Sequence, residues 1–416
     1  MSWMARLAGL LIVALAALPA RATDPLNSSD KPAESTNAKP HTEVNLVPIA
    51  GGSSDIGVGG GFFGGLARIE KGREPYVFNL EAAGLLTFKS GPDGLELPVQ
   101  DLYVKLTVPR LLGYPVRLEV RPSYTWEILR YYGLGNGSTD ATRTGASSRL
   151  LSYRRLHPQL DFDLRFRLVD HIAARGGFRY TQNWLQTTSV SRLVQDQQAG
   201  DDETRRLLGS FDAHGVLLLK AGLQFDNRDN ELTTHSGTFD ELSFKYSPGG
   251  SSALPYRYGN ANLIARFFRP LVKQSLVFAV RLVADLLFGS PPFYELSRFE
   301  DTYALGGSNG VRGVPAQRYY GKVKVFGNAE LRSELVSFDA LGKPLVFGVV
   351  ALFDAGRVWA DTRAEPLLDR GGARIKYGAG GGIRLQSGSA FVLRADVAYS
   401  PDANPLGAYF AAGEAF

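Results

Sequence analysis

Hydrophobic and polar residues alternate along several long stretches of this chain. Over residues 156–168 the even positions are apolar, and the odd positions are polar or charged. Stretches 275–288 and 323–335 repeat this pattern, with their charged residues confined to one face. Period-2 alternation of this length predicts β-strands that have one apolar and one wet face. Pro158 cannot donate a ladder hydrogen bond, so we expect a β-bulge there.

The whole pattern predicts about sixteen strands in an all-β fold. Tight turns, such as 169–170, tend to alternate with long polar loops, such as 190–213 and 289–321. An even strand count with alternating turns and loops is typical of a transmembrane antiparallel up-and-down β-barrel. The strands are expected at 45–52, 56–69, 75–88, 97–109, 115–129, 148–167, 171–188, 213–226, 237–247, 256–269, 274–288, 322–337, 345–360, 373–387, 390–400 and 406–416.

Composition narrows the class of protein further. The chain has 416 residues, 44% of them hydrophobic, and a mean hydropathy of −0.10. Its one long apolar run, 7–18, is shorter than the ~20 residues that a transmembrane helix needs. A soluble β-sandwich has a similar composition, but it seldom has strands this long with one face so densely charged. The net charge of +5 is slight and unclustered, which argues against nucleic acid as a partner.

The N-terminus predicts export. Arg6, the apolar run and the small-x-small site at 20–22 form a secretory signal peptide over 1–22, with an uncleaved anchor helix as the alternative. Residues 23–44 are rich in Ser, Asn, Pro and Lys and predict a flexible periplasmic linker. We therefore expect a barrel over 45–416, integral to the bacterial outer membrane. The chain has no cysteine, which excludes disulfides and thiolate chemistry.

A glycine-rich segment, 305–313, lies in the longest loop and reads LGGSNGVRG. Four further motifs occur along the chain: YYGLGN at 131–136, DNRDN at 226–230, NAELR at 328–332 and FDAG at 353–356. Together and in this order they resemble the BamA/TamA-type outer-membrane assembly and translocation superfamily, also known as bacterial surface antigen-type barrels. The resemblance covers the chain from about residue 45 to the end.

The resemblance implies a specific contact inside the barrel. In that family the sixth external loop, here about 289–321, folds back into the lumen. Its motif would be Val311-Arg312-Gly313, and its arginine would pair with inward acids at Glu330 and Asp354. The strand pattern puts Glu330 on the charged face, whereas the face of Asp354 also carries apolar residues. The alternative is that all three charges are solvated.

Two departures from the family pattern bear on function. Val314 stands where the family has an aromatic residue after its loop motif. The segment between the signal peptide and the barrel is also too short for a POTRA domain, the periplasmic module of the family. The resemblance therefore predicts a barrel-only member, in which a separate periplasmic protein is a candidate substitute for POTRA domains.

Two function classes remain open. The first is assistance in inserting or translocating a protein or lipid client through a weak seam between the first and last strands. The predicted seam residues are Gly57, Gly59, Gly60, Gly61 and Phe416, although the glycines would equally fit a bend. The alternative is a passive pore or structural barrel plugged by the sixth loop.

An enzyme is the third class, and the sequence does not favour it. The five histidines are scattered without metal-ligand spacing, and no Gly-x-Ser-x-Gly motif occurs. We expect no catalytic residue, no metal and no cofactor. The expected surroundings are outer-membrane lipids including lipopolysaccharide, and the candidate partners are a client polypeptide or a separate periplasmic protein. We expect a monomer.

Overall fold

A computed structural model describes residues 40–416 except 71–72, 74–75, 92–93, 140–146, 232, 274, 300–301, 304, 341–342, 364–365, 370–373, 388–390 and 403–405. The predicted signal peptide and most of the predicted linker lie outside the described residues. Within the described part of the chain, no helix combines the length and the apolar character needed to cross a membrane.

Sixteen antiparallel strands form one closed sheet, which confirms the predicted transmembrane-type barrel. Two of the strands, β4 and β6, are interrupted once. In chain order the strands are β1 His41–Ser53, β2 Gly57–Ile69, β3 Phe78–Gly91, β4 Gly94–Glu96 with Val99–Val108, β5 Val116–Arg130, β6 Ser152–Leu156 with Gln159–Val169, β7 Ile172–Gln186, β8 His214–Asp226, β9 Gly237–Ser247, β10 Tyr258–Val272, β11 Leu276–Gly289, β12 Val323–Ala340, β13 Lys343–Trp359, β14 Lys376–Ser387, β15 Phe391–Tyr399 and β16 Gly407–Ala412.

The alternation of the sequence corresponds to the two faces of the wall. Leu242, Phe244 and Phe353 are exposed on the outside, where lipid would contact them. Lys324 and Glu330 point into the lumen and are buried there by neighbouring charges and by loops. This is the arrangement that a wall between lipid and a polar interior requires.

Three details differ from the sequence prediction. β1 begins at His41, so the last residues of the predicted linker are strand.

The predicted bulge at Pro158 is wrong: β6 is interrupted there, but its register with β5 is unchanged on both sides. The proline lacks only a donor, and its carbonyl still accepts a hydrogen bond from Gln182 N at 3.1 Å. The register shift in β6 lies instead between Arg167 and Val169.

The end of the last predicted strand is also wrong. β16 stops at Ala412, and Gly413 adopts a φ of 85°, which turns residues 413–416 into the lumen. We call these four residues the tail. Glu414 meets Arg384 at 2.8 Å, and the Phe416 ring lies 6.3 Å from that of Phe268. The ion pair and the ring contact explain why the tail leaves the wall.

The two ends of the barrel differ. One, the loop end, carries the long connections, including loop 4 (187–213), loop 6 (290–322) and loop 7 (360–375). Loop 4 contains α1 Arg192–Ala199 and α2 Asp202–Leu208, and loop 7 contains α3 Pro366–Asp369. An apolar cluster covers the loop end and includes Tyr131, Tyr153, Leu208, Phe293, Tyr294 and Tyr320. The opposite, turn end carries the short connections.

Candidate functional site

Loop 6 folds into the lumen and is buried against the inner wall. Its apolar residues Leu305, Val311, Val314 and Tyr319 form a cluster with Val283, Phe326 and Val358 of the wall. Val314, which replaces the aromatic residue of the family motif, is fully buried in this cluster. The loop is therefore docked by packing even without that aromatic residue.

Arg312 is the charged centre of the buried loop. Its Nε and Nη2 donate to Asp354 Oδ2 and Oδ1 at 2.8 and 2.9 Å, and its Nη1 donates to Glu330 Oε1 at 2.5 Å. All three side chains are completely buried. The structure thus brings together the three residues that the sequence singled out, on loop 6, β12 and β13.

A third carboxylate, which the sequence analysis missed, completes the arrangement. Asp396 of β15 lies 3.3 Å from Arg312 Nη1 and accepts a hydrogen bond from Arg384 Nη1 at 2.5 Å. Its only signal in the sequence is the alternation of Arg394 and Asp396 with apolar neighbours. We call Arg312, Glu330, Asp354 and Asp396 together the clasp.

The clasp is electrically balanced by arginines from the surrounding wall. Arg332 Nε lies 2.7 Å from Glu330 Oε2, and Arg384 pairs with both Asp396 and Glu414. Buried charges are tolerated only when they are paired and hydrogen-bonded, because desolvation of each ion costs several kcal/mol. Removing one member of this network therefore leaves a charge that no solvent compensates.

Two glycines let the loop approach the wall this closely. Gly313 has a φ of 94°, and a Cβ there would lie 2.9 Å from the Tyr399 carbonyl carbon. A Cβ at Gly378 on β14 would lie 1.8 Å from the Arg312 carbonyl oxygen. Any side chain at either position would push the arginine away from its acids.

The seam between β1 and β16 is short. The two strands share only two register pairs, Gly52 with Phe410 and Ser53 with Tyr409, followed by a hydrogen bond from Ser54 N to Ala408 O at 2.9 Å. By contrast, β1 and β2 share thirteen pairs. The contact that closes the barrel, between its first and last strands, therefore consists of only these two register pairs and one further hydrogen bond.

The predicted seam residues do not lie at this seam. Gly57, Gly59, Gly60 and Gly61 are on β2. All four pair with β1, and all except Gly57 also pair with β3. A Cβ at Gly59 would lie 2.3 Å from the Leu86 carbonyl oxygen, so this glycine allows close pairing with β3. The Phe416 ring sits in the lumen, 5.0 and 4.9 Å from the guanidinium carbons of Arg281 and Arg332.

Loop 6 contacts both sides of the seam. Gly313 N donates to the Tyr409 hydroxyl of β16 at 2.8 Å. Ala316 N donates to Asp55 Oδ1, in the turn between β1 and β2, at 3.0 Å. Burial raises the pKa of Asp55, and the hydrogen bond from Ala316 N opposes that rise. The residues that follow Arg312 therefore connect the clasp to the two strands that close the barrel.

A second ionic contact holds the start of loop 6. Arg298 Nη2 donates to Glu127 Oε1 of β5 at 2.7 Å, and His157 Nε2 lies 2.9 Å from the same oxygen. Glu127 is buried. Loop 6 is consequently fixed to the wall near its start, at Arg298, as well as at the clasp.

Comparison with known proteins agrees with the barrel fold. The profile of the Omp85 superfamily domain matches residues 99–416. No curated protein sequence matches. Among solved structures, BamA from Haemophilus ducreyi lacking POTRA domains 1–3 is 15% identical, with a TM-score of 0.59 over 90% of this chain and 70% of that one. CdiB from Escherichia coli is 16% identical, with a TM-score of 0.53 over 89% of this chain. This chain spans 62% of that CdiB chain. At these identities the likeness concerns the fold.

Proposed function

This chain belongs to the Omp85 superfamily, and we propose on that basis that it helps insert or translocate a protein or lipid client at the outer membrane through the seam between β1 and β16. The observation that carries the proposal is the two-pair closure of the barrel. A barrel that serves only as a wall has no need for one weak junction.

The energetics of the seam favour opening there. Each backbone hydrogen bond contributes about 1 kcal/mol net, and far more where lipid replaces water as the alternative. Separating β1 from β16 breaks two register pairs, whereas separating β1 from β2 breaks thirteen. An opened seam exposes strand edges, and such edges are templates for the backbone of an incoming strand.

Loop 6 supplies a means of control. It contacts Tyr409 on one side of the seam and the Asp55 turn on the other, and both contacts follow directly after the clasp. Release of Arg312 would free both contacts together. We infer that the clasp keeps the seam closed until a client displaces the loop.

A disulfide across the seam tests the proposal. Ser54 and Ala408 are exposed and adjacent across the seam, and the chain has no cysteine of its own. The variant Ser54→Cys/Ala408→Cys, oxidised in liposomes, should stop the protein from accelerating the folding of a small urea-unfolded outer-membrane barrel. Reduction should restore the acceleration. Thr42→Cys/Arg68→Cys, which joins paired residues of β1 and β2, is the control and should leave the rate unchanged in both redox states.

The same assay separates the two function classes. Acceleration by the reduced protein that disappears on oxidation supports action through the seam. If the protein does not accelerate folding, or does so equally with the seam locked, insertion through the seam is wrong. A steady ion conductance that the disulfide does not alter would then favour the passive pore.

A further inference from the structure

A cavity of about 530 Å³ lies inside the barrel at its turn end. It is bounded by the inner wall from β6 to β11 and by the tail, and the turn residues His171 and Arg228 line its mouth, beside Val169 at the end of β6. Six arginines and four acidic residues line it. Its volume is in the range of small-molecule sites. The clasp lies outside this cavity.

Two of the arginines face each other across neighbouring strands. Arg266 of β10 and Arg281 of β11 are register partners, and like charges in directly opposite positions destabilise a sheet. Within the described residues, no carboxylate lies at ion-pair distance from either guanidinium. The two guanidinium groups therefore repel each other on the inner face of the sheet, and this repulsion is offset at longer range by Glu241 and Asp226 for Arg266 and by Asp354 and Glu330 for Arg281.

The contacts of both arginines are with neutral groups. Arg281 donates to Asn328 Oδ1 at 2.8 Å and to the carbonyl oxygens of Asn309 and Ala415 at 2.5 and 3.2 Å. The Arg266 guanidinium lies over the Phe239 ring at 4.9 Å, and its Nε is buried without a hydrogen-bond partner in the described structure. Neither set of contacts neutralises the charge.

Acids near the two arginines already have other partners. Glu241 accepts from Arg175 at 2.7 Å, Asp226 pairs with Arg228 at 2.8 Å, and Glu414 pairs with Arg384. The cavity thus has an excess of positive charge around Arg266 and Arg281, aromatic side chains in its walls and an opening at the turn end. Guanidinium groups bind phosphate through two parallel hydrogen bonds.

We propose that this cavity binds a phosphate group between Arg266 and Arg281. A doubly charged oxyanion offsets the repulsion of the pair and supplies the acceptor that Arg266 Nε lacks. The group could belong to a soluble phosphate compound or to a phospholipid headgroup, and the two share this chemistry. The inference goes beyond the proposed function and does not depend on it, because it concerns strands and residues away from the seam.

Calorimetric titration tests the site directly. The refolded full chain in a neutral maltoside detergent is titrated with inorganic phosphate, and chloride keeps the ionic strength constant. Wild type should bind saturably, and Arg266→Gln and Arg281→Gln should each weaken binding by about tenfold or more. Arg269→Gln is the matched control, because Arg269 lies on the same strand but is exposed on the outer face. Binding that is absent in wild type, or equal in all four proteins, overturns the proposal.

Thermal unfolding separates loss of the site from loss of the fold. Without phosphate, Arg266→Gln should unfold at the same or a higher temperature than wild type, because the repulsion is gone. Phosphate should raise the midpoint of wild type and of Arg269→Gln only. A phosphate-dependent rise in Arg266→Gln equal to that of wild type contradicts the site.

A competition experiment between a phospholipid and inorganic phosphate identifies the source of the phosphate group. Phosphatidic acid added to the micelles should displace inorganic phosphate if a headgroup enters the cavity. Failure of the lipid to compete, together with saturable binding of inorganic phosphate, assigns a soluble ligand. Both outcomes require Arg266 and Arg281 and therefore support the site.

Discussion

Arg312 and Asp354 are 42 residues apart in the chain and form a two-point ion pair, with Nε–Oδ2 and Nη2–Oδ1 distances of 2.8 and 2.9 Å. The Arg312 backbone N donates to the same carboxylate at 3.0 Å. Three bonds to one carboxylate fix both the position and the orientation of the loop 6 motif. A lysine at this position could not reproduce the planar two-point contact.

The first prediction concerns conductance. Wild-type protein in a planar bilayer should be nearly closed, because loop 6 occupies the lumen. Arg312→Ala leaves Glu330, Asp354 and Asp396 without their shared cation, which should destabilise the docked loop by about 3 kcal/mol or more. We expect this variant to open or to flicker between levels. Arg363→Ala, at an exposed position of loop 7, is the control and should behave as wild type.

Equal, large and steady conductance of wild type and Arg312→Ala would be inconsistent with a clasp that holds the loop. Arg312→Lys gives an intermediate case, since it keeps the charge and loses the two-point contact. Its open probability should lie between those of wild type and the alanine variant.

The second prediction concerns the missed acid. Asp396→Asn should lower the free energy of unfolding by about 3 kcal/mol, comparable to Glu330→Gln, because it leaves Arg384 and Arg312 short of a carboxylate. Urea titration followed by gel migration of the folded barrel measures this change. Adding Arg384→Gln should recover part of the loss, since it removes the uncompensated charge. Strictly additive losses would show that the two residues are not coupled.

The third prediction concerns the close approach of loop 6. Gly313→Ala should cost stability through its positive φ and through collision with the Tyr399 carbonyl carbon. Gly113→Ala has a similar φ, 86°, but its new Cβ would meet nothing within 4 Å. The difference between the two variants isolates the collision, and we expect about 1–3 kcal/mol. Equal losses would mean that the loop adjusts without strain.

The strand pattern could be predicted from the sequence because lipid and lumen impose opposite polarities on alternate residues. The family motif predicts the contacts of Arg312 with Glu330 and Asp354, and the position of Glu330 on the charged face of its strand supports that prediction. Asp396 belongs to no recognised motif. Its partner Arg384 lies 12 residues away on the neighbouring strand, but Arg312 lies 84 residues away in loop 6. Its role emerges only when β14, β15 and loop 6 are seen together.

The seam and the tail needed the three-dimensional structure. Residues 412–416 continue an acceptable strand pattern, but the turn at Gly413 depends on Arg384 and Arg332, which lie on other strands. The number of pairs between the first and last strands is a property of barrel closure. The cluster of glycines on β2 predicted a loosened seam. In the structure, the β3 backbone lies so close to Gly59 that a side chain there would collide with it.

The fourth prediction concerns pH at the loop end. Burial by itself would raise the pKa of Asp361, but hydrogen bonds from Lys322, Thr362 N and Arg206 lower it to about 2. Its contribution to loop docking is therefore present above its ordinary pKa of 3.8 and is lost as the pH falls toward 2.

Hydrogen exchange of loop 4 measures this effect, because Arg206 of α2 is held by Asp361. Protection of α2 in wild type should fall between pH 4 and pH 2 relative to Asp361→Asn. The variant should show low protection throughout. Parallel curves for the two proteins would assign the pH dependence to other carboxylates.

The most direct test of the central claim, that the clasp holds the seam closed, is the distance between spin labels at Ala50 on β1 and Ala412 on β16. Both residues are exposed near the seam. Labels at Ala50 and its β2 partner Gly60 provide the control. Wild type should give one narrow distance distribution for each pair. In Arg312→Ala, the 50–412 pair should gain a longer population while the 50–60 pair stays the same. An unchanged 50–412 distribution in that variant would contradict the account.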